Sequence, residues 1–251
     1  DGVVGVMWYD RREHRDNLGW DVRFSASLDG GATFLPSVKI SERGNTFPAG
    51  ASLVRSRPST GAQDSATLRR AAIAAATQAF PGWATGSIQE RSNILDRAGT
   101  EILARKDELG RLLSREEGKT LPEGIGEAAR AGHIFKFFAG EVLRLAGEKI
   151  PSVRPGIDVE VTREPIGVVG LITPWNFPLA IPAWKIAPAL ACGNTVVMKP
   201  ADLVPGCAWA LADILARAGI PAGVFNLVMG RGSIVGETLV NDPGVAALSF
   251  T

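Results

Sequence analysis

Apolar and polar positions change rhythm twice along the 251 residues. At the start the apolar residues cluster in short β-rich runs, Val3–Tyr9 and Val22–Ser27, and the turn signal Asp29-Gly30-Gly31 separates these from Val38-Lys39-Ile40. This pattern predicts a β-meander over residues 1–43. Residues 44–64 hold Gly44, Asn45, Pro48, Gly50, Ser52, Ser56, Pro58, Ser59 and Gly61, so they read as a linker or junction. From Ser65 the spacing of apolar residues becomes helical.

Leu68, Ala72, Ile73, Ala76 and Phe80 mark one amphipathic helix, ended by Pro81-Gly82. A second is predicted over Ser87–Leu109, with Ile88, Ile94, Leu95, Ile102 and Leu103 apolar, Arg91, Asp96, Arg97 and Lys106 solvated, and Gly110 as the stop. Thr120 and Glu123 stand at capping-box spacing with Pro122 in the first turn of a long helix. Ile134, Phe138, Val142 and Leu145 are its expected buried face, with His133 beside that stripe as an ordinary structural histidine. Asp158–Arg163 alternates and predicts a half-exposed strand.

After Gly167 the order becomes strand, helix, strand, helix, strand, helix, strand. The strands are Val168–Ile172, Thr195–Met198, Val224–Val228 and Val245–Phe250; the helices are Leu179–Ala191, Val204–Ala218, closed by Gly219 and Pro221, and Gly232–Val240. Val168–Ile172 carries no charge and is rich in β-branched residues, as a strand covered on both faces must be. Strict alternation with short loops implies a parallel sheet with right-handed crossovers. The fold class is therefore α/β, a Rossmann-like parallel sheet with a helical segment before it and a short β-meander at the start.

Composition narrows the partners. With 27 basic against 26 acidic residues and a net charge of +1, no electrostatic footprint for nucleic acid or an anionic membrane is present. Pro165–Trp184 is uncharged over the length of a spanning helix, but Pro165, Pro174, Pro178 and Pro182 argue against one. Cys192 and Cys207 are the only cysteines, without metal-ligand spacing, and no metal site is expected. Such cysteine usage fits a reducing cytoplasm. The first residue is not Met and no targeting segment is visible, which reads as a fragment of a longer protein.

The chemistry concentrates at strand ends. Asn176 lies between Pro174 and Pro178 at the carboxyl end of Val168–Ile172, where open α/β sheets place their ligands. A rigid amide there serves either as a helix cap or as a donor to a ligand. Lys199 and Asp202 follow the next strand, placed to meet ribose hydroxyls or simply to pair in a solvated turn. Gly230-Arg231-Gly232-Ser233-Ile234-Val235-Gly236 opens the last helix with G-x-G-x-x-x-G spacing, one residue longer than the usual dinucleotide fingerprint. Neither cysteine has a basic neighbour in sequence, so both read as inert core thiols.

Thr173-Pro174-Trp175-Asn176-Phe177-Pro178, then Trp184-Lys185, Pro188-Ala189-Leu190 and Lys199-Pro200-Ala201-Asp202, resemble the NAD(P)-dependent aldehyde dehydrogenases over residues 65–251. Gly118-Lys119-Thr120-Leu121-Pro122-Glu123 and Phe135–Glu141 are most similar to the 2-oxoglutarate-semialdehyde (2,5-dioxopentanoate) branch. The resemblance implies oxidation of an aldehyde, an acidic semialdehyde by preference, to the carboxylic acid through a cysteine thioester. It implies Asn176 as an oxyanion-hole donor, and Ile172, Thr173, Pro174, Trp175, Lys199, Asp202, Gly232, Gly236 and Phe250 as cofactor contacts. Phe177 and Trp184 match substrate-channel aromatics, although both also suit an ordinary apolar helix face, and Lys185 matches a lysine near the site.

NAD is the expected cofactor, with NADP possible, because the acidic Asp202 would repel a 2′-phosphate. The strand at Asp158–Arg163 corresponds to a subunit interface in that family, so a homo-oligomer is expected. The family's nucleophilic Cys and base Glu find no match, and Phe250-Thr251 resembles the beginning of a phosphate-binding motif whose Gly-Ser continuation is not present. The 251 residues alone are therefore expected to be inactive. Ser27–Phe34 resembles the Asp-box of sialidase-like β-propellers, a structural hairpin device; without further blades it makes no propeller. Two rival readings follow: a carbohydrate-binding or glycosidase-related fragment led by that segment, and a non-catalytic nucleotide-binding or assembly module.

Overall fold

A computed structural model describes residues 4–10, 21–27, 38–39 and 61–251. The first three described stretches, β1 (Val4–Asp10), β2 (Asp21–Ser27) and β3 (Val38–Lys39), form an antiparallel sheet in the order β1-β2-β3, the meander the alternation predicts. The Asp29-Gly30-Gly31 turn, most of the Asp-box-like stretch and residues 44–60 of the expected linker lie outside the described residues. The linker's last four residues do not stay irregular. They open α1 (Gly61–Ala84).

Four helices come next: α1, α2 (Ile88–Ala104), α3 (Lys106–Glu117) and α4 (Leu121–Glu141), the last followed by a short 3₁₀ turn at Val142–Arg144. Their boundaries correct three expectations. Pro81 does not end α1 but sits inside its last turn, and the α1 carbonyls of Trp83 and Ala84, with that of Gly86 beyond, accept hydrogen bonds from the Arg91 guanidinium at 3.0, 3.3 and 3.3 Å. Arg91 is thus buried rather than solvated, because it finishes a neighbouring helix. Gly110 does not stop the second helix either. The break falls at Arg105, held by Glu101 and Glu108 at 3.0 and 2.7 Å, and α3 runs on to Gly118, whose φ of 93° supplies the left-handed stop.

Gly110 is instead a crossing point. A Cβ there would lie 2.6 Å from the Ile125 backbone nitrogen, and one on Gly124 would lie 2.7 Å from the Gly110 carbonyl oxygen, so α3 and α4 meet backbone to backbone. Gly99 and Gly132 do the same where α2 meets α4. The buried face of α4 follows these small residues: Gly124, Glu127, Ala128, Ala131, Gly132, Phe135 and Ala139. The expected stripe is therefore rotated. Val142 is buried, but Ile134 and Phe138 are only half-buried and Leu145 is exposed, while His133 faces solvent. Glu123 does reach back to Thr120 Oγ1 and N, as the capping-box spacing predicts.

β4 (Glu148–Pro151) and β5 (Asp158–Val161) pair antiparallel as a two-stranded ribbon exposed on both strands, where alternation predicts half-burial. The remaining chain makes the parallel sheet: β6 (Val168–Ile172), α5 (Ala180–Ala191), β7 (Thr195–Lys199), α6 (Pro205–Arg217), β8 (Phe225–Leu227), α7 (Gly232–Asn241) and β9 (Val245–Phe250). Strand order is β8-β7-β6-β9, all parallel. Gly219, at φ 91°, closes α6 as expected.

Period-two alternation splits the strand residues between two cores. Leu171, Val196 and Met198 join the large core with α5, α6 and the helical layer, whereas Val168 and Val197 join Ile73, Ala76, Val235 and Leu239 of α1 and α7. Both faces of the sheet are covered. The chain runs outward from β6 through β7 to β8, then returns to place β9 on the other side of β6. That reversal puts the topological switch point at the carboxyl ends of β6 and β9.

Candidate active site

The segment Thr173–Leu179 leaves β6 at this switch point and enters α5. The Thr173 amide donates to the Lys199 carbonyl at 3.1 Å and the Thr251 amide to the Ile172 carbonyl at 3.3 Å, so the ends of β7 and β9 brace the exit of β6 on both sides. Thr173 Oγ1 is buried with no hydrogen-bond partner. Beyond it Trp175, Asn176 and Phe177 are exposed, and the backbone dives again at Pro178.

Asn176 is not a helix cap. Leu179 occupies the N-cap position of α5 without a side-chain cap bond, and the Asn176 side-chain amide has no hydrogen-bond partner among the described residues. The orphan amides at the start of α5 are satisfied from elsewhere. Glu127 of α4 accepts from Leu179 N at 2.9 Å and Ala180 N at 3.1 Å through the same oxygen, Oε1. Its other oxygen accepts from Lys119 Nζ at 2.7 Å, and Lys119 also donates to the Asn176 carbonyl at 2.8 Å and lies 3.7 Å from the centre of the Phe177 ring.

The dinucleotide-type residues gather beside this loop. Lys199, nearly fully buried, pairs with the half-exposed Asp202 at 2.8 Å. A Cβ on Gly232 would stand 3.9 Å from Lys199 Nζ with nothing nearer, and one on Gly236 would stand 3.7 Å from Ile172 Cδ1. Ile172, Thr173, Lys199, Asp202, Gly232 and Gly236 thus share one corner. Phe250 pairs in register with Ile172 across β9 and is 73% exposed. Lys185 donates to Ser249 Oγ at 2.7 Å, and desolvation pulls its ammonium below the ordinary lysine range. Trp184 on α5 is also exposed.

An unpartnered buried hydroxyl, a lysine–aspartate pair and the open space over two glycines fit a dinucleotide. Neither cysteine fits a nucleophile. Burial pushes the Cys207 thiol far above its ordinary range, with Glu116 beside it adding to the effect, and burial also raises Cys192 despite the opposing charge of Arg91. Among the described residues no group of three or more His, Cys, Asp or Glu is placed to hold a metal ion, and no helix is long and apolar enough to cross a membrane.

Residues 55–251 match the model of the aldehyde dehydrogenase family. The chain belongs to that family. Its relatives include the alpha-ketoglutarate semialdehyde dehydrogenase of Haloferax volcanii, 48% identical over 181 residues, which are 72% of this chain and 38% of that protein. Among solved structures it is similar to an NADP-dependent enzyme of Escherichia coli, with 43% identity and a TM-score of 0.72 over 77% of this chain and 40% of that one. Betaine aldehyde dehydrogenase from Staphylococcus aureus in complex with NAD+ matches at 36% identity and a TM-score of 0.70, over 72% and 38% of the two chains. The chain spans about two fifths of the length of these family members.

Four contributors escaped the sequence reading: Glu127, Lys119 as a loop anchor, Ser249 and Glu116, which accepts from Gly206 N and Cys207 N at 2.7 and 2.8 Å at the start of α6. Each acts on a backbone or side-chain partner at least 57 residues away except Glu127, which meets α5 amides 52 and 53 residues on and Lys119 eight residues before it. Local patterns carry no trace of such pairings.

Proposed function

We propose that this chain is the cofactor-binding part of an NAD-dependent aldehyde dehydrogenase that oxidises an acidic semialdehyde, of the 2-oxoglutarate semialdehyde class, to the carboxylic acid. The observation that carries the reading is an exposed Asn176 amide, without a partner among the described residues, on a braced loop at the switch point next to the Lys199–Asp202 corner. The name of the Haloferax relative supports the substrate class. A bound nicotinamide dinucleotide would supply the hydride acceptor. Lys199 and Asp202 would hydrogen-bond ribose hydroxyls, Gly232 and Gly236 would leave room for the adenosine, and the Asp202 carboxylate disfavours a 2′-phosphate.

Asn176 donates to the aldehyde oxygen as negative charge develops there, a preorganised contact that costs nothing to rearrange during the reaction. Phe177 and Trp184 face the aldehyde, with Trp175 and Phe250 on the cofactor side. Burial works against a thiolate at both Cys192 and Cys207, so neither is the proposed nucleophile and these 251 residues alone are expected to carry no turnover. The exposed β4–β5 ribbon, with Ile150, Val159 and Val161 uncovered, is the proposed contact between subunits of a homo-oligomer. Residues 1–43 are proposed to take no part in catalysis, and two unbridged thiols suit the cytoplasm.

Steady-state assay of the intact protein against a panel of semialdehydes with NAD and NADP tests this reading. Expected are turnover with NAD and a loss of about 10²–10³-fold in kcat on Asn176→Ala, with KM for NAD unchanged. No turnover with any semialdehyde would overturn it.

A further inference from the structure

Lys119 and Glu127 connect the helical layer to the site. Glu127 has only 2% of its side chain exposed and Lys119 only 15%. An ion pair so enclosed is costly to desolvate and persists only when its remaining hydrogen-bonding capacity is used. Here it is used on a single target, the loop that carries Asn176. Lys119 Nζ divides its contacts among Glu127 Oε2, the Asn176 carbonyl and the Phe177 ring, while Glu127 Oε1 takes two amides at the start of α5. Glu117 Oε2, 3.7 Å from Lys119 Nζ and without a hydrogen-bond partner, adds a second negative charge that keeps the ammonium in place.

The loop is therefore held at both ends of Asn176–Ala180 by side chains of another layer. Its own sequence could not do this. Pro174 and Pro178 stiffen the backbone but offer no amide, Leu179 has no capping oxygen, and Asn176 itself is left with its amide unspent. A helix cap supplied by Asn176 would have turned its Oδ1 onto the α5 amides and fixed the direction of the Nδ2 donor with it. Moving the cap to a distant glutamate frees it.

We propose that Lys119 and Glu127 are positioning residues that hold Asn176 in register with the aldehyde oxygen. This inference rests on the aldehyde dehydrogenase reading of the loop. Lys119 fixes the Asn176 backbone directly, and Glu127 fixes both Lys119 and the first turn of α5.

The test compares Lys119→Met, Lys119→Arg, Glu127→Gln and Glu127→Ala with the wild type in the intact protein, by amide hydrogen exchange and by steady-state kinetics. Expected for Glu127→Ala is at least tenfold faster exchange at Leu179 and Ala180, with Val196 and Val197 of β7 unchanged. Expected for Lys119→Met and Glu127→Ala is a fall of tenfold or more in kcat with KM for NAD within twofold of wild type, and partial recovery in Lys119→Arg. Glu127→Gln, which keeps an acceptor for the two amides but loses the charge facing Lys119, falls between. Where a Glu127 variant speeds exchange at β7 as well, it has unfolded the domain, and Lys119→Met decides. For Glu127→Ala, faster loop exchange with kcat unchanged, or reduced kcat with loop exchange unchanged, overturns the proposal, as does an unchanged kcat in Lys119→Met. If the wild type itself oxidises no semialdehyde, the functional reading falls, and unchanged exchange at Leu179 and Ala180 in Glu127→Ala overturns the clamp separately.

Discussion

Thiol chemistry gives the sharpest residue-level expectations, because both cysteines sit in places that oppose the thiolate. Cys207 is fully buried behind Glu116, and Cys192 is half-buried near Arg91. In the native protein Cys207 is expected to resist iodoacetamide at pH 8, Cys192 to react more slowly than a free thiol, and both to react promptly in urea; prompt native labelling of Cys207 would contradict its burial. The same shift links stability to pH. The folded Cys207 holds its proton where the unfolded chain releases one, so stability is intact below the ordinary thiol pKa and falls as pH rises above it, by about 1.4 kcal/mol per pH unit. Urea titrations at pH 8 and pH 10 check the sign, with Cys207→Ala expected to flatten the dependence.

Among the elements, helix ends and helix crossings carry most of the specificity. Glu116 and Glu127 each finish a helix of the Rossmann layer from the preceding helical layer, so the two layers are joined by charge-assisted hydrogen bonds as well as by apolar packing. Removing one such carboxylate leaves two buried or half-buried amides unpaired. Glu116→Ala is expected to cost about 1.5–3 kcal/mol in chemical denaturation, and an effect below about 0.5 kcal/mol would show that water replaces the cap. Gly110→Ala tests the α3–α4 crossing. A Cβ there meets backbone atoms, which cannot swing aside as a side chain can, so a loss of about 1–3 kcal/mol is expected despite alanine's higher helix propensity.

For the whole molecule, the position of β9 matters most. Among the described residues it lies at the edge of the sheet, with Leu248 and Phe250 exposed on one side, and Trp175 and Trp184 are exposed as well. An uncovered parallel edge with apolar side chains is a template for association. A polypeptide of these 251 residues expressed alone is expected to self-associate. Light scattering that reports a clean monomer at tens of micromolar would count against this.

The parallel sheet was legible because each strand declares itself locally. Uncharged β-branched runs such as Val168–Ile172 and Thr195–Lys199 have little alternative to burial on both faces, and glycines such as Gly219 mark helix ends by backbone freedom alone. The loop Thr173–Pro178, the Lys199–Asp202 pair and the Gly232 turn were legible for the same reason, being fixed by short-range geometry. Tertiary structure decided what depends on contact between two elements: the burial of Arg91 against the end of α1, the rotated face of α4 set by its glycine contacts, and Gly110 as a crossing rather than a stop. It also decided that the amides at the start of α5 are capped by Glu127, 52 residues before Leu179, and not by the Asn176 side-chain oxygen. Periodicity records which face of an element is apolar. It does not record what that face meets, since the energy of a cap, an ion pair or a close helix crossing belongs to two elements at once.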